Sequence, residues 1–412
     1  LAKGTFIENS VMNNIIRIWF GIFFSLAMAL SGHAQNNSTS GLSAATKRLR
    51  AHDSRNELYT RFRYQPVKGL GYEKGVSRRD PSSIIKVGEL YYVWYTRCLD
   101  KKFTWLNADI WYASSPDGMN WTEKGPAVKR GPKGSWDDYS VFTCNILVAD
   151  RNYYLCYQAE TKTNDAETKT GLGINVVGMA KADSPDGPWT KLQKPILKTA
   201  PDGKFECPDH SRPWHRIITE QGSWDSAAVH DPGIIPRWGK YWLYYKGHGL
   251  DDLIFADSRW GVAVADRPEG PYLKSPLNPV TNSGHEVWVW PWKKGIAAMV
   301  DWAGPEKGTV QYTEDGVNFV VKSALEDIPP AGGAYIADKF TDPTDGQGFT
   351  WGLAHHGRTD WTFLVRFECD LHRDSKKQLA WKHFPHYSTI RDVMRDPGRF
   401  NVPRDALLEK RR

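Results

Sequence analysis

Ala182-Asp183-Ser184-Pro185-Asp186-Gly187-Pro188-Trp189 is the phrase that decides the fold, because it recurs. It returns as Ala113-Ser114-Ser115-Pro116-Asp117-Gly118 leading to Trp121, as Ala265-Asp266-Arg267-Pro268-Glu269-Gly270-Pro271-Tyr272, and more loosely as Tyr312-Thr313-Glu314-Asp315-Gly316-Val317-Asn318-Phe319. Proline pre-sets φ at the first corner of a tight turn and glycine takes the positive-φ position, so each copy predicts a hairpin joining two outer strands of one sheet.

A second shared element precedes each hairpin: a polar residue, an apolar strand, a short turn, then a strand rich in aromatics. Its copies are Asp80 to Tyr95, Thr143 to Tyr157, Asp231 to Tyr245 and His285 to Val300, with Gly332 to His355 and Trp361 to Cys369 as a fifth whose hairpin is degraded. Stretches such as Leu90-Tyr91-Tyr92-Val93-Trp94-Tyr95 carry the β-branched and aromatic content of strands. About four strands per unit, repeated along the chain, predict an all-β fold, a five-bladed β-propeller. Unequal spacing between copies places insertions in loops at residues 161–172 and 200–223.

The ends of the chain read differently. Met12-Asn13-Asn14 precedes an apolar run, Ile15 to Leu30, that is broken by Arg17, Gly21 and Ser25 and followed by Gly32-His33-Ala34. The run is short for a membrane span and has the parts of an export signal, which predicts Met12 as initiator, cleavage near Ala34 and a periplasmic or extracellular protein. The expected organisation is therefore a signal at 1–34, a linker and helical extension at 35–65, a propeller at 66–385 and a tail at 386–412. Within the extension, Ser43 is the natural N-cap of one short helix reaching Arg50.

Composition narrows the function. The net charge of +7 is dispersed except at Lys47-Arg48-Leu49-Arg50 and Lys410-Arg411-Arg412, which argues against a nucleic-acid surface. No later apolar run suits a membrane. The five cysteines, Cys98, Cys144, Cys156, Cys207 and Cys369, are odd in number and lack metal-site spacing, so buried free thiols are expected rather than a disulfide framework. The 19 tryptophans and 18 tyrosines are an unusual load for a core, which favours Leu, Ile and Val; many of the tryptophans must be core all the same, but such rings also stack well on sugar faces.

In a propeller the first strands of successive blades line one central channel. Asp80 in Arg79-Asp80-Pro81, Asp231 in His230-Asp231-Pro232 and the pair His285-Glu286 all stand at such strand starts. A single Asp-Pro is usually only a turn device, because Asp bonds its own backbone there. Repeated at matched positions, acids and a histidine supply what glycoside hydrolysis needs: a proton donor for the leaving oxygen and a base for the attacking water.

The stretches Gly69-Leu70-Gly71-Tyr72 through Arg79-Asp80-Pro81-Ser82-Ser83, Val229-His230-Asp231-Pro232, and Ser275-Pro276 to Asn282-Ser283-Gly284-His285-Glu286-Val287 resemble glycoside hydrolase family 117. The likeness runs from about Leu58 to Phe319. It implies a five-bladed propeller enzyme that removes 3,6-anhydro-L-galactose from the non-reducing end of neoagaro-oligosaccharides, with inversion, in the degradation of agar. It also implies Asp80 as general base, His285 as general acid, Asp231 as the carboxylate that tunes the acid, and Glu286 as a sugar ligand or support. The helix at Ser43 to Arg50 would be exchanged between subunits of a homodimer.

The chain departs from that pattern at Asn145, where an acidic residue is expected, and at Trp136, where a tyrosine is expected. Both count with Thr143, Gln158, His230 and Arg79 as substrate-binding candidates. Two roles are open to His355-His356 in the fifth repeat: a place in the channel or, as is commoner for paired histidines in a loop, that of exposed bystanders. No cofactor is required by these residues, and any metal would be a hydrated divalent cation in the channel. Two alternatives stay open. One is a propeller glycosidase or phosphorylase of a related family acting on another algal or furanoside-type substrate, for which Arg78-Arg79 is the nearest phosphate-binding cation pair. The other is a propeller that binds sugar without turnover.

Overall fold

The computed structural model describes residue 43 and residues 56–100, 104–160, 175–206, 217–220, 222–249, 258–301, 303–374 and 392–408. The export signal and the extension helix lie outside these residues apart from Ser43. No helix among the described residues is long and apolar enough to cross a membrane.

The repeated text folds as repeated sheets. Ser77–Arg79 and Ile85–Val87 pair with Leu90–Cys98, followed outward by Asp109–Ser115 and Thr122–Val128. Ser140–Ala149, Asn152–Glu160, Val176–Ala182 and Thr190–Lys191 form the next sheet, and Ala228–Arg237, Lys240–His248, Arg259–Ala265 and Leu273–Lys274 the one after. Val289–Lys293, Gly295–Val300, Thr309–Thr313 and Val320–Ala324 keep the same antiparallel order. Gly333–Ala334, Gly346–His356 and Phe363–His372 come last, and Arg63–Pro66 from the other end of the chain pairs with Phe363–His372 to complete their sheet. These last two groups touch through the pairs Trp292–Gln347 and Lys293–Gly346, which makes them one continuous sheet. The fold is a β-propeller.

Each recurring phrase forms the predicted outer hairpin. Asp117 accepts the backbone N–H groups of Met119 and Asn120, both at 2.8 Å, while Ser115 caps Gly118; Asp315, Thr313 and Gly316 repeat the arrangement. Gly118 has φ of +70°, and a Cβ there would lie 2.6 Å from the Trp351 ring, so conformation and space both require glycine.

The core lies in layers between neighbouring sheets. Trp94 packs with Val141, Ile146 and Tyr157, whereas its neighbour Tyr95 points the other way toward Trp351 and Leu353. Tyr244 and Tyr245 divide in the same manner, toward Val289 and toward Leu147. Successive strand residues face opposite sides, and an inner strand with packed neighbours on both sides reads as an unbroken apolar run.

Cys98, Cys144, Cys156 and Cys369 are buried free thiols, while Cys207 lies outside the described residues. The C-terminal segment is more than a tail. A short helix, Asp392–Arg395, and two 3-10 turns bring Val393, Phe400, Val402 and Ala406 into the same core layer as Phe62 and Tyr64.

Candidate active site

Five stretches of chain meet at one pit: Asp80-Pro81, Thr143-Cys144-Asn145, Asp231-Pro232, Glu286-Val287 and Ala331-Gly332. The pit holds about 290 Å³ of space, its open mouth included. The backbone bends similarly at these points, for Asp80, Thr143, Asp231 and Ala331 all have positive φ, between 39° and 51°. Pairing slips at two of them, between Phe142 and Cys144 and between His230 and Gly233. A left-handed residue other than glycine costs about 1–2 kcal/mol, and such bulges re-aim side chains that a regular strand would leave within the sheet.

Asp80, only 2% exposed, is held on several sides. Its Oδ2 accepts from Arg79 Nε at 2.7 Å and from Thr143 Oγ1 at 2.9 Å, and Oδ1 lies 3.1 Å from His355 Nδ1. Burial alone would raise the carboxyl, but the Arg79 guanidinium and His355 outweigh it and hold the pKa at about 2. Asp80 is therefore a carboxylate across the working pH range, which suits a base.

On the other side, Asp231 forms a buried ion pair with Lys246, and Lys246 Nζ also lies 3.4 Å from Nδ1 and 3.2 Å from Nε2 of His285. Burial raises the Asp231 pKa despite Lys246 and His285. His285 Nδ1 sits 2.8 Å from Glu286 Oε1 and 3.9 Å from Asp231 Oδ2. Asp301 Oδ1 accepts the His285 backbone N–H at 2.9 Å. Burial and the neighbouring Glu286 push Asp301 well above the carboxylate range; Glu286 is held well below it, against its own burial, by His285 and by a hydrogen bond from Asp301. One proton between the two buried acids satisfies both. Arg79 links the halves of the site, with Nε on Asp80 and NH2 3.9 Å from Glu286 Oε1.

Among the described residues, Asp231, His285 and Glu286 bring donor atoms within 4.8 Å of one another, which is the spacing of a cation site. A metal does not fit there alongside Lys246. The ammonium already neutralises Asp231 and crowds both ring nitrogens of His285.

The structure thus gathers Asp80, Thr143, Asn145, Asp231, Glu286, His285 and Arg79 at one place. It puts others elsewhere. Trp136 stacks on Tyr157 at 6.2 Å between ring centroids, donates to the Gln193 carbonyl and fills the space above Gly178, so it packs within its sheet. Gln158 Nε2 donates to Asn175 Oδ1 at 2.7 Å, and His230 lies against His248. Of the two roles open to His355-His356, the commoner one of exposed bystanders does not hold: His355 borders Asp80, and His356 is buried against Phe363 with a pKa lowered by burial to about 3. Arg78 is no phosphate cradle either, because its guanidinium is buried on Glu73 and Glu123.

Lys246 and Asp301 escaped the sequence reading. For Lys246 a signal was present: it directly follows the aromatic run Tyr241-Trp242-Leu243-Tyr244-Tyr245, where a cation must find a buried partner.

Comparison with known proteins bears on the family and the fold. The family 117 glycoside hydrolase Zg3597 of the marine bacterium Zobellia galactanivorans is 35% identical, over 77% of this chain and 93% of that one, with a TM-score of 0.65. The protein belongs to glycoside hydrolase family 117. Residues 75–206 also match the sequence pattern of glycosyl hydrolases family 43. BT0996, solved as an RGII complex, is 12% identical over 77% of this chain and 94% of that one, at a TM-score of 0.51, and a further glycoside hydrolase is 12% identical over 75% and 92%, at 0.52; these two show the fold alone. No curated protein matches the chain. For this family 117 glycoside hydrolase, the pit at the head of the inner strands is the candidate site of glycosidic cleavage.

Proposed function

We propose that this glycoside hydrolase releases a terminal 3,6-anhydro-L-galactose from neoagaro-oligosaccharides with inversion at the anomeric carbon. The observation that carries the proposal is the opposed state of two sides of one pit: an ionised Asp80 held by Arg79, Thr143 and His355, and a His285 flanked by Glu286, Asp231 and Lys246. Asp80 takes a proton from water as the water oxygen bonds to the anomeric carbon. The glycosidic bond breaks, its electron pair goes to the leaving oxygen, and His285 supplies the proton that oxygen needs. A pit of this size suits one sugar ring and hence an end of a glycan rather than its middle.

The test is product analysis after incubation with neoagarobiose and longer homologues. Chromatography is expected to show a released monosaccharide, and proton NMR of the first product the inverted anomer. Asp80→Asn is expected to abolish release. Absence of release from every red-algal oligosaccharide tried removes the proposal.

A further inference from the structure

The amide of Asn145 has a fixed orientation. Its Oδ1 accepts the backbone N–H of Ile146 at 2.9 Å and that of Ser83 at 3.4 Å, so the oxygen is turned into the protein. The Nδ2 group, which donates to no described residue, is the end left for the pit that Asn145 lines. At this wall the enzyme therefore offers a hydrogen-bond donor. A sugar hydroxyl can accept from it, but a group with only acceptor oxygens and a negative charge does so more strongly.

A second observation concerns charge. Lys339, 2% exposed, donates from Nζ to Ser83 Oγ at 2.6 Å, and Ser83 is the residue whose backbone N–H holds Asn145. No carboxylate among the described residues lies within ion-pair distance of Lys339. Its surroundings are Phe340, whose ring centroid is 5.8 Å away, and the Cys156 thiol, which itself donates to the Asn145 carbonyl. The other cations of the site are matched, Arg79 by Asp80 and Lys246 by Asp231. The Asn145 wall thus has a buried positive charge behind it without a protein counter-ion, and a buried charge of that kind is stabilised by any anion brought close to it.

We infer that Asn145, backed by Lys339 as a positioning residue, selects a terminal sugar carrying an anionic, acceptor-only substituent, a sulfate ester on one of its free hydroxyls. This deepens the proposed hydrolysis and rests on it for the reaction but not for the recognition. The carboxylate wall formed by Asp80, Asp231 and Glu286 would handle the glycosidic bond, and the Asn145 wall the substituent.

The experiment compares kcat/KM for neoagarobiose with that for the same disaccharide sulfated at each free hydroxyl of the anhydro-sugar in turn. One sulfated isomer is expected to be preferred by about ten- to a hundredfold, the usual worth of a hydrogen bond to a charged group. Asn145→Asp is expected to reverse the preference, and Lys339→Met to reduce it, with melting curves confirming that both variants fold. A ratio unchanged in Asn145→Asp, or a preference for the unsubstituted sugar in the wild type, overturns the inference. If neither disaccharide is cleaved, the hydrolytic proposal fails instead; calorimetry with the sulfated and plain anhydro-sugars then decides recognition, tighter binding of the sulfated sugar by the wild type but not by Asn145→Asp supporting it, and equal binding overturning it.

Discussion

His355 Nδ1 lies 3.1 Å from Asp80 Oδ1, although the two residues come from the last and first repeats of the sequence. The contact helps to hold Asp80 at a pKa of about 2, against the burial that would raise it. A base works only when ionised, so kcat/KM should stay level on the acid side until the pH approaches that value. His355→Ala removes a stabilising neighbour of the carboxylate, and the acid limb is expected to move to higher pH while the neutral-pH rate changes less. A pH–rate profile of both proteins checks this. Folding follows the same sign: a carboxyl depressed in the native state contributes stability above its unfolded pKa, which is lost as the pH falls through about 4 toward about 2.

Lys246 and Asp231 are both buried, so removing the ammonium leaves a buried carboxylate without its ion-pair partner. Lys246→Met is expected to cost about 3–5 kcal/mol in unfolding free energy, the range for breaking one half of a buried pair. Because the ammonium fills the place a cation would take among Asp231, His285 and Glu286, wild-type turnover is expected to be the same after chelator treatment as before. Denaturant melts and assays with a chelator are the measurements. A tenfold loss on chelation that magnesium or calcium restores would show that a metal displaces Lys246.

Asp301 keeps a proton that Glu286 uses. A group whose folded pKa is raised contributes stability at low pH, and the contribution is lost as the pH rises through the folded value. Asp301→Asn can still accept the His285 backbone N–H through Oδ1 and donate to Glu286 through Nδ2. The variant is expected to fold, to hold its melting temperature better than the wild type as the pH is raised from about 5 to about 9, and to retain hydrolysis. Asp301→Ala, which does neither, is expected to lose both stability and rate. Melting curves across that pH range separate the two.

The fold was legible because its signals are local. Pro-Asp-Gly and Glu-Gly-Pro fix turns within a few residues, and the aromatic runs mark the inner strands wherever they occur, so repetition alone ordered the sheets. Asp80, Asp231 and His285-Glu286 were legible for the same reason, each standing at a repeated position. Lys246 and Asp301 were not, since their roles depend on which side chains face them across strands: Lys246 lies in register with His230, one residue from Asp231. Trp136 misled because an aromatic ring stacks equally well on a sugar and on Tyr157. The docking of Val393 and Phe400 was hidden by distance, since nothing local in the C-terminal text names the core layer that receives them.

Closure of the propeller rests on the short strand Arg63–Pro66, which pairs with Phe363–His372 from the far end of the sequence. Its register sets Arg63 against Glu368, and the same strand buries Tyr64, whose hydroxyl donates to the Asp327 carbonyl at 2.6 Å. Gln65 Nε2 adds a 3.0 Å bond to Glu368, and Phe62 lies fully buried just ahead. Each large apolar side chain packed in this way contributes about 1.5–3 kcal/mol, out of a typical total of about 5–15 kcal/mol. A truncated protein starting at Val67 therefore loses two such anchors and exposes the edge of Phe363–His372 to pairing with other molecules. It is expected to melt about 3–12 °C below one starting at Asn56, given roughly 1–2 °C per kcal/mol at this size, and to aggregate as it unfolds. Calorimetry and light scattering on the two proteins provide the measurement. Matching melting temperatures would mean that the last sheet is stable with its own three strands, and that closure by the N-terminal strand is dispensable.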